Sequence, residues 1–248
     1  MTEKKQGRRS AQAAEETKLH IMTVAADMFC ELGYERVSLR NISERAGVSH
    51  SLIRHHFGSK EKIWHSISDC LEAYMHHYMH QLLADIPQTY PSHQRLYHFS
   101  VRMLAHMIVH PQAIQLIADA VRQEALFDYF IDNSGNIEKL VQDLIDPVNQ
   151  DFPQQQIDIK VLKWQLMMYG HAAASMKPFI AETWADQSDD LDVCLRNHWQ
   201  LFNQQMACSL SIPSDEVLQP THLSELVLNI DCNWQKKDDA EHADAKDV

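Results

Sequence analysis

The sequence predicts an all-α protein, a small N-terminal helical module followed by a larger helical bundle. Three observations predict it. Apolar residues recur at helical spacing along most of the chain, alternating Val/Ile/Thr runs bounded by Asn-Gly or Asp-Gly turns are nearly absent, and helix-starting and helix-stopping residues fall between the periodic segments. With 248 residues, 45% hydrophobic content, only 6 Gly and 8 Pro, the chain is long enough to bury a core and is neither disordered throughout nor collagenous.

In the first segment Ile21, Ala25, Met28, Phe29 and Leu32 fall on one stripe, and Gly33 follows as a C-terminal stop. Ser38 is placed to cap a short helix with Leu39, Ile42 and Ala46 inward, ended by Gly47. Ser49 is placed to cap the next, which runs to about His55 and stops near Gly58. A longer helix starts at Ser59, carries Ile63, Ile67, Cys70, Leu71, Tyr74, Tyr78 and Leu82, and ends before Pro87. Further helices are expected over 92–110, over 111–132 with a kink or split near Val121, and over 136–149, 154–176 and 189–210. Pro178 and the polar stretch 186–190 separate the last two. Beyond Pro213 the signal weakens: Leu223, Leu226, Val227 and Ile230 suit one short helix, and 236–248 reads as a disordered charged tail.

Charge divides the chain. The formal net charge is -12, yet residues 1–62 hold 11 basic and 8 acidic side chains, a local +3, and the other 186 residues hold 11 and 26, or -15. No apolar run is long enough to span a bilayer: the most apolar long stretch, 161–176, is broken by Lys163, Gln165 and His171. The basic start (Lys4, Lys5, Arg8, Arg9) lacks a following apolar region, so it is not read as a signal peptide. Cys30, Cys70, Cys194, Cys208 and Cys232 are odd in number and without a CxxC pair, which suits reduced thiols and a cytoplasmic location.

Residues 38–57, SLRNISERAGVSHSLIRHHF, carry the clearest functional signal. A two-turn helix, a bend at Ala46 and Gly47, and a second helix begun by Ser49 make a helix-turn-helix pattern, because glycine permits the tight turn and alanine lets the helices approach. With Leu39, Ile42, Ala46, Val48, Ile53 and Phe57 inward, the second helix is left presenting His50, Ser51, Arg54 and His55. Hydroxyl, imidazole and guanidinium groups within two turns offer donors and acceptors to base edges and phosphates.

Residues 21–63, above all ERAGVSHSLIRHHFGSKEKI, resemble the DNA-binding domain of the TetR family of bacterial transcriptional regulators. The marks occur in order: Ala25 and Ala26, Phe29 before Gly33 and Tyr34, the AGVS turn, His55 to Phe57 as HHF, and Ser59 to Glu61 as SKE. The resemblance covers roughly residues 15–75. Two positions depart from it, since Ser51 stands where the family commonly has Gly or Ala and Arg54 where it commonly has Tyr. An arginine there substitutes a permanent cation that can pair phosphate or read guanine bidentately.

The resemblance implies a basic arm over 1–14, a three-helix DNA-binding domain over 15–75, a ligand-binding and dimerisation bundle over 76–212 and a weakly structured acidic tail over 213–248. It places Ser49, His50, Ser51, Arg54 and His55 at bases or phosphates, Arg40 within reach of DNA, and His56 and Lys60 at phosphates. Ser49 is equally accounted for as an N-cap, and the basic arm either tracks the DNA backbone or is simply solvated. A homodimer is implied through the helices near 154–176 and 189–210, with Gly170, Ala172, Ala173, Ala174 and Ser175 as a close-approach surface and Leu191, Leu195, Trp199, Phe202 and Met206 supplying bulk. Phe99, Met103, Met107, Phe127, Trp164 and Met168, core residues on spacing alone, are the candidates to line a pocket for a partly apolar effector.

The function expected is thus a homodimeric repressor released from a palindromic operator by a small molecule. The alternatives are an activator of the same family, or a helical interaction protein whose helix-turn-helix does not bind DNA. No catalytic residues and no cofactor are expected, since no glycine-rich phosphate loop or GxSxG occurs. Among sixteen histidines, His76/His80 and His106/His110 are each four apart, so each pair could share a zinc ion. Neither has a neighbouring Cys or an HExxH arrangement, so no metal is expected.

Overall fold

The computed structural model describes residues 3–133 and 135–230, and within these it is all-helical with no strand. The α-helices are α1 (Glu3–Leu32), α2 (Leu39–Ala46), α3 (His50–His56), α4 (Lys60–Asp85), α5 (Ser92–Val109), α6 (Gln112–Ala120), α7 (Glu124–Asn133), α8 (Gly135–Asp151), α9 (Ile159–Ser175), α10 (Lys177–Thr183) and α11 (Leu191–Ser209). Short 3₁₀ turns occur at Tyr34–Arg36 and Leu223–Leu226. The chain divides into two compact units, the first built from Met1–Cys70 and the second from Leu71–Leu228, with α4 contributing to both.

The first unit follows the expected punctuation. Ser38 caps α2 in a capping box, its hydroxyl accepting from Asn41 N while the Asn41 side chain accepts from Ser38 N. Gly47 closes α2 at φ 65°, the left-handed region where a side chain is strained. Ile21, Ala25, Phe29, Ile42, Ile53, Phe57, Ile63 and Ile67 are buried together as the core of the unit. Three inward assignments differ. Leu32 is exposed because it ends α1, and Leu39 and Val48 are only half-buried, each sitting beside a cap rather than between helices. The backbone of α1 begins at Glu3, so the expected basic arm is continuous with this helix. The side chains of Lys4, Lys5, Arg8 and Arg9 lie outside the described residues.

In the second unit α5 is the central helix, buried along most of its length against α8, α9 and α11. Two buried polar pairs there are matched: the indole N–H of Trp199 donates to Val101 O at 2.8 Å, and the Tyr97 hydroxyl donates to Asn203 Oδ1 at 2.6 Å. The predicted 111–132 helix is split at 121–123 into α6 and α7. The predicted 154 start is corrected to Ile159, because Asn149 ties down the 153–157 turn through Ile157 and Asp158 caps α9 by accepting from Lys160 N. Pro178, expected only as a separator, lies in the first turn of α10, where its missing N–H costs no helical bond.

The segment 213–228, expected as part of a weakly structured tail, is a strap fastened across the bundle. Leu218 N donates to the Tyr97 hydroxyl at 2.8 Å and Leu218 O accepts from Asn203 Nδ2 at 2.9 Å. Thr221 O accepts from Arg196, Leu226 O from Arg102, and Leu228 N donates to the Tyr78 hydroxyl. The strap's own side chains are mostly short or polar, so its signal is weak. Its order comes from donors and acceptors supplied by α4, α5 and α11. Cys232 and residues 236–248 lie outside the described residues.

Candidate nucleic-acid interface and interior site

The Ser49 cap sets the start of α3 by accepting from Leu52 N at 3.2 Å, and the same hydroxyl lies 2.9 Å from that of Ser51. Ile53 and Phe57 anchor the inner side of α3 in the core. What remains outside is His50, Ser51, Arg54 and His55, all exposed. Arg54 and His50 make no side-chain hydrogen bond or ion pair among the described residues, so their donors are uncommitted. The His56 ring is half-buried and tilts against Phe57, leaving it less open than its neighbours.

Three other cations of the unit, Arg45, Arg40 and Lys60, have partners. Arg45 grips Glu31 with two nitrogens at 2.6 and 2.8 Å, and this hydrogen bond holds the Glu31 carboxyl below its ordinary range. Arg40 pairs with Glu44 one turn on at 2.8 Å; both side chains are solvent-exposed, so the pair is weak and readily exchanged for a phosphate. Lys60 does structural work: its ammonium donates to Tyr34 O at 2.8 Å and lies 3.9 Å from the centre of the Tyr34 ring. Burial, with Glu61 and Glu35 nearby, raises the Tyr34 phenol above its usual range. Sequence reasoning missed this clamp because its acceptor is a backbone carbonyl 26 positions away.

The candidate effector residues of the second unit separate into two groups. Phe99, Met103 and Met107 are buried, and Phe127 is half-buried. Met107 packs with Ile114, Ile117 and Ala174, flanked by Phe130, Leu166 and Met167. Trp164 and Met168 are not interior: they are 65% and 48% exposed and share one stripe of α9 with Val161. The physical reason is that α9 is apolar on more than one side, and Leu162, Gly170, Ala173 and Ala174 take the inner one. Gly170 belongs to that packing, since a Cβ there would lie 2.7 Å from Met107 Cε. The expected small-residue contact surface is therefore largely consumed within the chain, as are Trp199, Phe202 and Met206 of α11.

A polar cluster lies between α4 and α5 around His106, which the sequence offered only as half of a histidine pair. His106 is buried, 3.0 Å from the Tyr74 hydroxyl through Nε2 and stacked on Tyr78 at 3.9 Å, while its Nδ1 has no partner among the described residues. Burial, reinforced by His110, pushes its pKa down to about 3, so the ring is neutral. The Ser100 hydroxyl is likewise buried and unpaired. The recess among His93, Val148, Phe152 and Leu210 offers about 10 Å³, room for one water and not for an effector. Among the described residues no three His, Cys, Asp or Glu side chains converge as a metal site, and no helix is long and apolar enough to cross a membrane.

The first unit, a capped helix-turn-helix whose second helix exposes a polar face, has the geometry of helix-turn-helix proteins. Residues 21–67 match the family model described as bacterial regulatory proteins, tetR family. Over 57 residues the chain is 37% identical to the HTH-type transcriptional repressor Rv3405c of Mycobacterium tuberculosis, covering 23% of this chain and 30% of that protein. An HTH-type transcriptional regulator of Mycobacterium bovis matches over the same shares. The match thus spans about a third of the curated relatives' length.

The fold likeness extends further. A TetR-like transcriptional regulator from a Rhodococcus species aligns over 77% of this chain and 96% of its own at TM-score 0.52 and 14% identity. The regulator FadR of Bacillus subtilis, solved with stearoyl-CoA, aligns over 73% and 95% at TM-score 0.53 and 15% identity. The all-α architecture expected from the sequence is the architecture of these regulators.

Proposed function

We propose that the protein is a DNA-binding transcriptional regulator that acts as a homodimer, represses from a palindromic operator and is released by a small, partly apolar molecule. The observation that carries this reading is the outer face of α3, where His50, Ser51, Arg54 and His55 stand exposed on a helix fixed by its cap and its two apolar anchors. The helix enters the major groove, with Arg54 as the principal base or phosphate contact and Arg40 exchanging Glu44 for phosphate. One such unit contacts few base pairs, so two-fold pairing of half-sites is the expected solution. The exposed stripe Val161, Trp164 and Met168 on α9, with Leu201 on α11, is the apolar surface suited to pair two copies.

The effector enters the region of Phe99, Met103 and Met107 by displacing methionine side chains, whose unbranched thioethers repack readily. Binding there favours a state in which α4, which enters both units, no longer presents the two recognition helices at successive major grooves. This is a population shift and requires tighter binding to the DNA-incompetent state. Selection of duplexes from a random pool by the purified protein is the test. Enrichment of an inverted repeat is the expected result, and the absence of any enriched sequence at low salt would refute the reading. Arg54→Ala is expected to weaken binding to the selected duplex by roughly 1–3 kcal/mol without dissociating the dimer, in a gel-shift titration at fixed salt.

A further inference from the structure

The two histidine pairs of the second unit are equivalent in sequence spacing and unlike in structure. His106 is committed, because its Nε2 lies at the Tyr74 hydroxyl and its burial opposes added charge. His76 and His80 are different. They stand one turn apart on α4, half-buried and exposed respectively, and neither makes a hydrogen bond or ion pair among the described residues. Their rings are 4.5 Å apart between centroids and inclined at 69°.

That spacing has a chemical meaning. A metal–imidazole bond of about 2.0–2.1 Å sets the centroids of two rings on adjacent coordination positions roughly 4.5 Å apart at a right angle and roughly 5.2 Å apart at the tetrahedral angle. We infer that His76 and His80 form a bidentate site for a first-row divalent transition ion of the Zn²⁺, Ni²⁺ or Cu²⁺ type. Neutral imidazoles select these ions over Mg²⁺ and Ca²⁺, which require oxygen ligands. Two protein nitrogens leave the remaining positions to water. Glu72, one turn earlier on the same helix, also has no partner among the described residues, and its carboxylate adds negative potential toward a cation. Because the chelate closes across one helical turn, the ion binds the folded helix and stabilises it.

The test is isothermal titration of the full chain with Zn²⁺ and with Ni²⁺ in metal-free buffer. The wild type is expected to show one site that the His76→Gln/His80→Gln double variant lacks. His80→Gln alone, at the more exposed position, is expected to weaken it about tenfold or more, since losing even an outer partner of a metal ligand costs that much. A metal-dependent rise in Tm accompanies the site in the wild type and is absent in the double variant, whose helical circular dichroism is unchanged. Equal stoichiometry and affinity in wild type and double variant would overturn the inference, because binding would then reside on the other histidines. A His80→Gln chain that keeps the full affinity would overturn it equally.

Discussion

At the scale of single residues, the structure separates positions that hold the fold from positions left open for contacts. Gly47 sits at φ 65° with open space around the position of a Cβ, so only the backbone conformation opposes a side chain. Gly47→Ala is expected to cost about 1 kcal/mol, read as a lowered urea midpoint with unchanged slope. His106 makes a prediction in pH. Its folded pKa is depressed to about 3 from an ordinary value of 6.5, so the unfolded chain binds the proton more readily. The corresponding stability is fully present above pH 6.5 and is lost as the pH falls toward 3, by roughly 1.4 kcal/mol for each unit in that window. Replacing the imidazole, as in His106→Phe, keeps a ring against Tyr78 and is expected to flatten the acid limb. Urea unfolding at pH 7 and pH 5 measures the difference, and an equal loss in wild type and variant would show that other groups set it.

At the scale of elements, legibility followed the range of the interactions. Ser38 and Ser49 cap the helices they precede through contacts three residues away, and both caps were legible in the local sequence; the Asp158 and Asp190 caps are as local, but neither was read, and the helices they start were placed at 154 and 189. The outer face of α3 was legible for the same reason, since two apolar anchors on two turns leave little choice of orientation. The face of α9 was not. Val161, Trp164, Met167 and Met168 all suit an interior, and it is the inward packing of Leu162, Gly170, Ala173 and Ala174 that leaves Trp164 outward. The Lys60 clamp on Tyr34 and the strap over α5 depend on partners 26 and more than 100 positions away, with no local pattern to announce them. The seating of α9 is testable. Gly170→Val inserts branched carbons where a Cβ would be 2.7 Å from Met107 Cε, the end of a flexible thioether that can turn aside, so the expected cost is at the lower end of overpacking, about 1 kcal/mol. Gly170→Val with Met107→Ala is expected to recover part of that loss in a double-mutant cycle, because the two side chains compete for one space.

At the scale of the whole molecule, the net charge of -12 is the average of a +3 segment over residues 1–62 and a -15 remainder. A phosphate backbone attracts the first and repels the second, which disfavours wrapping of DNA around the bundle and restrains non-specific binding. Under the proposed pairing two such segments act together on one duplex, since a single helix-turn-helix contacts few base pairs. The surface available for that pairing is apolar and specific in position: Trp164 is 65% exposed on α9 between Val161 and Met168, and Leu201 is 49% exposed on α11. Charged side chains on this stripe bury unpaired charge if two copies meet there and are nearly neutral if they do not. Trp164→Glu with Met168→Glu is therefore expected to convert a dimer to a monomer in analytical ultracentrifugation, with helical content unchanged. Operator binding should fall together with dimerisation, and its salt dependence should become shallower as half of the phosphate contacts are lost. A double variant that still sediments as a dimer would move the pairing surface elsewhere on the bundle.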